Sequence, residues 1–287
     1  MLIGKIISIL RGKPLVCYIV DNTDNLRISR SNKKDIWFSL IKKLENIILK
    51  KCDYIFTIDD SLCEWLYNLK IDRRRIKTIN YGIDPSRLTP IIPKEEFYNR
   101  FKISPEKIKI IYAGGNHLHH GLHLLLENVN DLCEKYNKIE IIIATNFKKE
   151  SMINYKKCVK FLGFIDFSMY VCLINYSDIL NCPPDPKYPY VSVVTNKLIQ
   201  FMITGNAIVA TNVGVIPRII KTRENGIVVK RTPVELIKGI ETLINNNDLR
   251  RKYGRNSKKY ALKYLDWNKN LKKILNILIK LNHKYLN

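Results

Sequence analysis

Short runs of apolar and β-branched residues recur along this chain, and amphipathic stretches separate most of them. Runs of this kind are typical of parallel strands buried on both faces, with crossover helices between them, so the pattern predicts an α/β fold. Nine strands are predicted, at residues 14–20, 54–58, 76–79, 109–114, 139–145, 158–163, 178–182, 207–211 and 226–229.

Helices are predicted where apolar residues recur at spacings of three and four. The clearest cover residues 34–50, 60–69, 120–135, 196–204 and 233–246, and two more follow "NNNDLRRKYG". Prolines cluster between residues 85 and 105, which predicts a domain boundary near residues 88–104. Three predicted strands precede that boundary and six follow it. A three-stranded sheet with an open edge is a poor independent domain.

The net charge of the chain indicates what kind of partner it attracts, and its cysteines indicate the redox setting. The 287 residues carry 49 Lys and Arg against 26 Asp and Glu, a formal net charge of +23. This excess predicts attraction to nucleic acid, an acidic membrane surface or phosphate-bearing small molecules. No nucleic-acid motif accompanies the basic runs, so nucleic acid is not the expected partner. The seven cysteines include no Cys-x-x-Cys pair, and we expect free thiols in a reducing, cytoplasmic setting.

Several segments carry a family resemblance, among them "CDYIFTIDDSLCEWLYNLKIDRRRIKTINYGIDPSRLTP", "IIYAGGNHLHHGL", "VKFLGFID" and "NKLIQFMITGNAIVATNVGVIPRIIKTRENGIVV". In order and spacing they resemble the GT-B fold glycosyltransferases of family four, the group one transferases. The resemblance implies two Rossmann-like domains with parallel sheets. Residues 1–95 then form a truncated acceptor-side domain, residues 96–265 the nucleotide-sugar donor domain, and residues 266–287 a terminal helix that packs back on the first domain.

The family resemblance also implies a reaction. A sugar passes from a nucleotide-diphosphate sugar to a glycan, a lipid-linked acceptor or a protein, with retained anomeric configuration and without a metal or other cofactor. The alternative is a weak or inactive glycosyltransferase-like module that binds a nucleotide sugar or a partner chain.

The start of the helix at 196–204 is a candidate phosphate site. Thr195 or Asn196 is a natural N-cap, so backbone amides open there at the positive end of the helix dipole, and Lys197 adds a full charge. A diphosphate at this place would meet both. The competing interpretation is an ordinary helix cap beside a solvated lysine.

Two glutamates of the family, eight positions apart, correspond to Ser192 and Gln200. The resemblance implies that Ser192 lies near the transferred sugar and that Gln200 accepts hydrogen bonds from the donor ribose. Gln200 keeps an acceptor oxygen but loses the charge. The alternative for Gln200 is an exposed helix residue.

The segment "AGGNHLHHGL" corresponds to the family's glycine-rich turn, which faces the diphosphate. Gly114 and Gly115 lie in the turn, with Gly115 at or near the position of a family arginine, and His120 occupies the position of a family lysine. A bound diphosphate would favour the protonated form of His120. Gly163, in the matching segment "VKFLGFID", completes the implied donor-binding set.

The same segment holds four of the chain's five histidines, His117, His119, His120 and His123. Three interpretations stay open: a zinc site that uses the spacing of His120 and His123, a solvated helix start, or a phosphate or sugar contact. Because no Cys, Asp or Glu falls inside the cluster, we expect no bound metal.

Asp21 is a further candidate catalytic residue. It ends the strand at residues 14–20, at the carboxyl edge of the sheet where α/β proteins bind ligands. It is equally the first turn former of "DNTDN". In the family a histidine often stands just after this strand, and here Val20 takes that position.

Two partners other than substrates are hypotheses. The basic amphipathic helix at 34–50 suits peripheral contact with an anionic membrane surface, although ordinary packing with a wet basic face explains it too. A partner chain would complete the first sheet. The apolar start of the chain is interrupted by Lys5 and lacks a small-residue cleavage site, so neither a signal peptide nor a spanning helix is expected.

Overall fold

The computed structural model describes residues 2–20, 36–146, 155–185 and 196–284. The described chain divides into two compact units. Of the described residues, the first contains 2–20, 36–82 and 265–284, and the second contains 83–146, 155–185 and 196–264. The candidate catalytic residues Asp21 and Ser192, and Thr195, lie outside the described residues.

All nine predicted strands are present, which confirms the α/β class. They are β1 (Val16–Ile19), β2 (Tyr54–Thr57), β3 (Ile76–Thr78), β4 (Ile108–Ala113), β5 (Ile139–Ala144), β6 (Val159–Phe161), β7 (Ile179–Cys182), β8 (Ala207–Thr211) and β9 (Ile227–Val229). Every pairing between them is parallel.

The described α-helices are α1 (Leu2–Arg11), α2 (Ile36–Lys50), α3 (Asp60–Asn68), α4 (Lys94–Phe101), α5 (Leu122–Leu126), α6 (Val129–Lys135), α7 (Phe167–Asn175), α8 (Asn196–Thr204), α9 (Ile216–Ile219), α10 (Pro233–Ile244), α11 (Asn247–Tyr264) and α12 (Trp267–Lys284). The helix predicted at 196–204 has the predicted bounds. The helix predicted at 120–135 is wrong in one respect, because it is divided into α5 and α6.

The first unit contains a sheet of strand order β1-β2-β3. Its core includes the fully buried Leu49, Ile55 and Leu66. The last helix, α12, belongs to this unit: the side-chain amide of Asn270 donates to the carbonyl of Asn80 at 2.9 Å. This hydrogen bond joins α12 to the segment that follows β3.

Two helices of the first unit present apolar side chains to solvent. No residue of α1 is buried, and Leu10 at its end is 78% exposed. On α2, Trp37 and Ile41 are also largely exposed. In the described part of the chain, no helix is both long enough and apolar enough to cross a membrane.

The second unit contains a six-stranded sheet of order β6-β5-β4-β7-β8-β9. The chain starts in the middle at β4, adds strands outward to β6, and then returns to place β7 on the other side of β4. Loops that follow β4 and β7 therefore diverge at the carboxyl edge of the sheet. In doubly wound sheets this switch point is where ligands bind.

One expectation about the cysteines is wrong. Cys133 at the end of α6 and Cys158 beside β6 form a disulfide, with their Cα atoms 6.1 Å apart. The other five cysteines are free thiols. The two partners are 25 residues apart in sequence. No spacing motif in the sequence signals this pair, because tertiary packing brings the two cysteines together.

Candidate functional site

A pocket of about 520 Å³ opens at the carboxyl edge of the second sheet. It is built from the segments that follow β4, β5 and β6 and from one face of α7 and α8. Its lining residues are Ala113, Gly114, Gly115, Asn116, Ala144, Thr145, Asn146, Gly163, Phe164, Ile165, Phe167, Tyr170, Lys197 and Gln200. Of the residues predicted for donor binding, Gly114, Gly115, Gly163, Lys197 and Gln200 are thus brought together.

Two glycines let side chains approach the turn after β4. Gly114 has φ 153°, and a Cβ at this position would collide with Nζ of Lys197. At Gly115 an added Cβ would lie 2.7 Å from Nε2 of His120. Any larger residue at either place would displace the lysine or the imidazole, so the glycines keep both groups against the backbone.

Lys197 is the second residue of α8 and supplies the positive charge of the pocket. Its Nζ lies 4.7 Å from the centre of the Tyr112 ring, a favourable cation–π contact. Burial lowers the pKa of Lys197, while Cys182 acts in the opposite direction. Among the described residues no carboxylate lies within ion-pair distance of Lys197. An anion in the pocket would therefore meet a cation that lacks a counter-charge from these residues.

The histidine turn runs from His117 to Gly121. Its rings are close together, with the centres of His119 and His120 4.1 Å apart. Burial, together with the nearby His119 and Lys197, lowers the pKa of His120 to about 4. Without a ligand, His120 is therefore a neutral imidazole at pH 7.

Asp185 is hydrogen-bonded to the histidine turn and to His123, which follows it. Nε2 of His123 donates to its carboxylate at 3.0 Å, and Nη1 of Arg231 approaches the other oxygen at 3.4 Å. The backbone N–H of Asp185 donates to the carbonyl of His119, also at 3.0 Å. Asp185, in the segment after β7, thus joins the histidine turn after β4 to Arg231 after β9.

The pairing with Asp185 also bears on the zinc interpretation. It directs His123 to a carboxylate, whereas the His120 ring lies against Gly115. Within residues 2–20, 36–146, 155–185 and 196–284, no three His, Cys, Asp or Glu side chains are grouped as metal ligands.

Gln200 is not an exposed helix residue, so that alternative is wrong. It is partly buried, and its Oε1 accepts a hydrogen bond of 2.6 Å from the hydroxyl of Tyr170. Burial raises the pKa of Tyr170, so this hydroxyl keeps its proton and donates. The contact orients the Gln200 amide, with its NH₂ group as the remaining donor.

An aromatic rim follows Gly163, which has φ 70° and open space in front of its α-carbon. Phe164 is 85% exposed, and Phe167 on the first turn of α7 is nearly half exposed. Exposed aromatic side chains beside a pocket offer flat apolar surface for stacking. Neither phenylalanine nor Tyr170 was predicted as a site residue, although "FLGFIDF" places aromatic residues directly after a strand.

The doubly wound sheet, with its pocket at the switch point, is an α/β unit of the GT-B type. Solved structures of the same fold include the Anabaena protein HepE in complex with UDP, at a TM-score of 0.76 and 16% identity over 97% of this chain and 75% of that one. They also include sucrose-phosphate synthase from Thermosynechococcus elongatus, at a TM-score of 0.73 and 14% identity over 97% of this chain and 71% of that one. The predicted GT-B fold class is confirmed.

Residues 107–246 match the model of the family described as Glycosyl transferases group 1. The match confirms the resemblance predicted from the sequence and places this region among the group 1 glycosyltransferases. A similar curated protein is the uncharacterized glycosyltransferase MJ1069 of Methanocaldococcus jannaschii, which is 24% identical over 98% of this chain and 72% of its own length.

Proposed function

We propose that the pocket binds the diphosphate of a nucleotide sugar and that the chain transfers the sugar to an acceptor. The observation that carries this proposal is Lys197, a partly buried lysine at the start of α8 whose Nζ lies against the glycine turn. Two negative charges placed there would gain the lysine charge, the helix dipole and the backbone amides at once. The UDP complex of the similarly folded HepE supports this assignment.

The remaining pocket walls suit the other parts of a nucleotide. The amide of Gln200, held by Tyr170, offers hydrogen bonds to the hydroxyls of a ribose. The rim of Phe164 and Phe167 offers stacking surface to a base. In this proposal the base lies beside the end of β6, and the diphosphate lies between the end of β4 and the start of α8.

The chemistry follows from charge development. As the bond between the sugar C1 and the phosphate oxygen breaks, negative charge grows on the leaving diphosphate. Lys197 and the amides at the start of α8 are already oriented toward that charge, and preorganised groups of this kind lower the barrier most in a dry site. They supply the stabilisation that a divalent cation would otherwise give, which supports a metal-independent transfer. We further propose retention of the anomeric configuration, which the family resemblance implies.

A second candidate function is binding without turnover. It is favoured by Gln200, which is uncharged and already hydrogen-bonded, and by the neutral His120. Gln200 then lacks the negative charge of the family glutamate, and His120 lacks the positive charge of the family lysine. A nucleotide would still bind at Lys197, but the leaving group would be less strongly stabilised.

We propose that the first unit faces the acceptor. The apolar residues exposed on α1 and α2, interspersed with Lys5, Lys42 and Lys43, suit an anionic membrane beside a lipid-linked acceptor, or a partner chain. Co-sedimentation with vesicles of anionic and of neutral lipid distinguishes these partners. Binding to anionic vesicles alone supports the membrane, whereas binding to neither leaves a protein partner as the proposal.

The proposed activity is tested by calorimetric titration with UDP, GDP and ADP, paired with donor hydrolysis and transfer assays on the matching nucleotide sugars. We expect binding of at least one nucleotide together with turnover of its sugar. Binding without turnover selects the second candidate function. Lack of binding to every nucleotide at millimolar concentration would contradict both.

A further inference from the structure

Cys17 and Cys52 lie together in the first unit, away from the proposed donor pocket. Cys17 is on β1, and Cys52 is in the short turn between α2 and β2. Their Sγ atoms are 3.2 Å apart and share a hydrogen bond. Sulfur atoms this close need only side-chain rotation to reach bonding distance, which is about 2.0 Å.

The turn that carries Cys52 is held by its backbone. Nη1 of Arg75 donates to the Cys52 carbonyl at 2.8 Å. The next residue, Asp53, exchanges two hydrogen bonds with Leu15, one from its N–H to the Leu15 carbonyl at 2.9 Å and one from the Leu15 N–H to its carboxylate at 2.8 Å. These bonds hold the backbone of the turn beside the start of β1, so the two cysteines stay neighbours in the fold.

The two thiols differ in access and in charge preference. Cys17 is half-buried, whereas Cys52 is fully buried. The hydrogen bond from Cys52 lowers the pKa of Cys17 to about 7, while the pKa of Cys52 is raised by the same bond and by burial. Near neutral pH the reachable sulfur is therefore also the more nucleophilic one, because thiolate is the reactive form.

We propose that Cys17 and Cys52 are a redox-active dithiol, a modification site that becomes a disulfide by exchange with a small-molecule disulfide such as oxidised glutathione. The Cys17 thiolate attacks one glutathione sulfur and releases one glutathione thiolate. Cys52 then gives its proton to solvent and attacks the Cys17 sulfur, which releases the second glutathione. Two protein thiols are oxidised, and one small disulfide is reduced to two thiols.

The disulfide would close a long loop. The partners are 35 residues apart, and the loop contains α2. Such a cross-link restricts the unfolded chain, so we expect the oxidised protein to melt about 5 °C higher or more. This inference does not depend on the proposed transferase activity.

The test is oxidation of the full-length chain with oxidised glutathione, followed by peptide mapping under non-reducing conditions. We expect a Cys17–Cys52 linked peptide to form at least tenfold faster than any adduct at Cys63. That thiol is buried and bonded to the hydroxyls of Thr57 and Thr78 at 3.1 and 3.0 Å, so Cys63→Ser is the matched control and should leave the linked peptide unchanged.

Single variants separate the role of Cys17, which attacks glutathione, from that of Cys52, which closes the protein disulfide. Cys52→Ser should trap a stable glutathione adduct on Cys17, and Cys17→Ser should leave Cys52 unmodified because it is buried. Peptide mapping of the wild-type chain shows whether the Cys17–Cys52 disulfide forms, even if a variant fails to fold. A glutathione adduct on wild-type Cys17 that never gives way to the linked peptide, or no reaction at either thiol, would overturn the proposal.

Discussion

The two sheets of this protein are built from the same kind of strand but are covered to different degrees. In the second unit every residue of β5 and β8 is buried. In the first unit the central strand β2 buries three residues of four, but α1 buries none. The difference shows that apolar strands alone do not make a closed core. Layers on both faces of the sheet are needed.

The comparison also explains where the candidate site lies. A site that acts through oriented charges needs a rigid frame that excludes water. The second unit supplies it, since α8 buries five residues and carries Lys197 and Gln200 on its remaining face. The described pocket is therefore part of the better packed unit, whereas the first unit presents exposed apolar side chains on α1 and α2.

The largest effect should come from truncating a core residue of the second unit. Phe201 of α8 is fully buried, so Phe201→Ala should lower the free energy of unfolding by about 3–5 kcal/mol. Leu10→Ala, on the exposed face of α1, should change it by less than about 0.5 kcal/mol. Urea unfolding measures both. A cost above about 1.5 kcal/mol for Leu10→Ala would show that α1 is covered in solution, and the contrast between the units would be lost.

The next largest effect concerns Lys197. Lys197→Met keeps the length of the side chain and removes the charge, so nucleotide affinity should fall about tenfold to a hundredfold, as expected for one hydrogen bond to a charged group. Stability should not fall, because burial disfavours the charged lysine. Lys238, which is exposed and paired with Glu235 at 3.0 Å, provides the control Lys238→Met. Equal affinities for the two variants in calorimetric titration would exclude Lys197 from the site.

A smaller effect is expected at Asp185. Asp185→Asn weakens its bonds to His123 and Arg231 and loosens the histidine turn, so the donor KM should rise a few-fold, with a stability cost of about 1 kcal/mol. Glu235→Gln, in an exposed ion pair, is the matched control and should change neither quantity. If Asp185→Asn lowers stability but leaves KM unchanged, the residue supports the fold alone and does not position the turn.

His120 should also add a pH dependence to the stability of the second unit. Its pKa is about 4 in the folded chain and about 6.5 in an unfolded chain. Between these values the unfolded state binds a proton that the folded state does not, so stability falls as the pH falls from 6.5 to 4. The variant His120→Gln should lose less stability over this window than the wild type. Parallel curves for the two proteins would show that His120 titrates normally.

Much of the fold could be predicted because buried parallel strands are strongly patterned. All nine strands were located, and α8 had its predicted bounds. Helix α7 was not among the clearest helices, since Met169 and Val171–Ile174 are buried on several sides and leave little polar face to mark a helical period. The Cys133–Cys158 bond depends on which strands become neighbours, which sequence spacing does not reveal.

The candidate site was predicted in part. Gly114, Gly115 and Lys197, which line the pocket, were named in advance because the glycine turn follows the family resemblance and because a lysine at a helix start suits a phosphate. The hydrogen bond between Gln200 and Tyr170 could not, because the two residues are 30 positions apart and lie on different helices. The low pKa of His120 likewise depends on burial and on charges that only the folded chain brings together. The roles of all the predicted site residues stay predictions, and Asp21, Ser192 and Thr195 also lie outside the described residues.

The most direct test is a crystal structure of the protein soaked with a nucleoside diphosphate. We expect the diphosphate within hydrogen-bonding distance of Nζ of Lys197 and beside Gly114 and Gly115, with the base near Phe164. Density for the nucleotide at another place, or an empty pocket at a concentration that saturates binding in solution, would contradict the assignment of this pocket as the donor site.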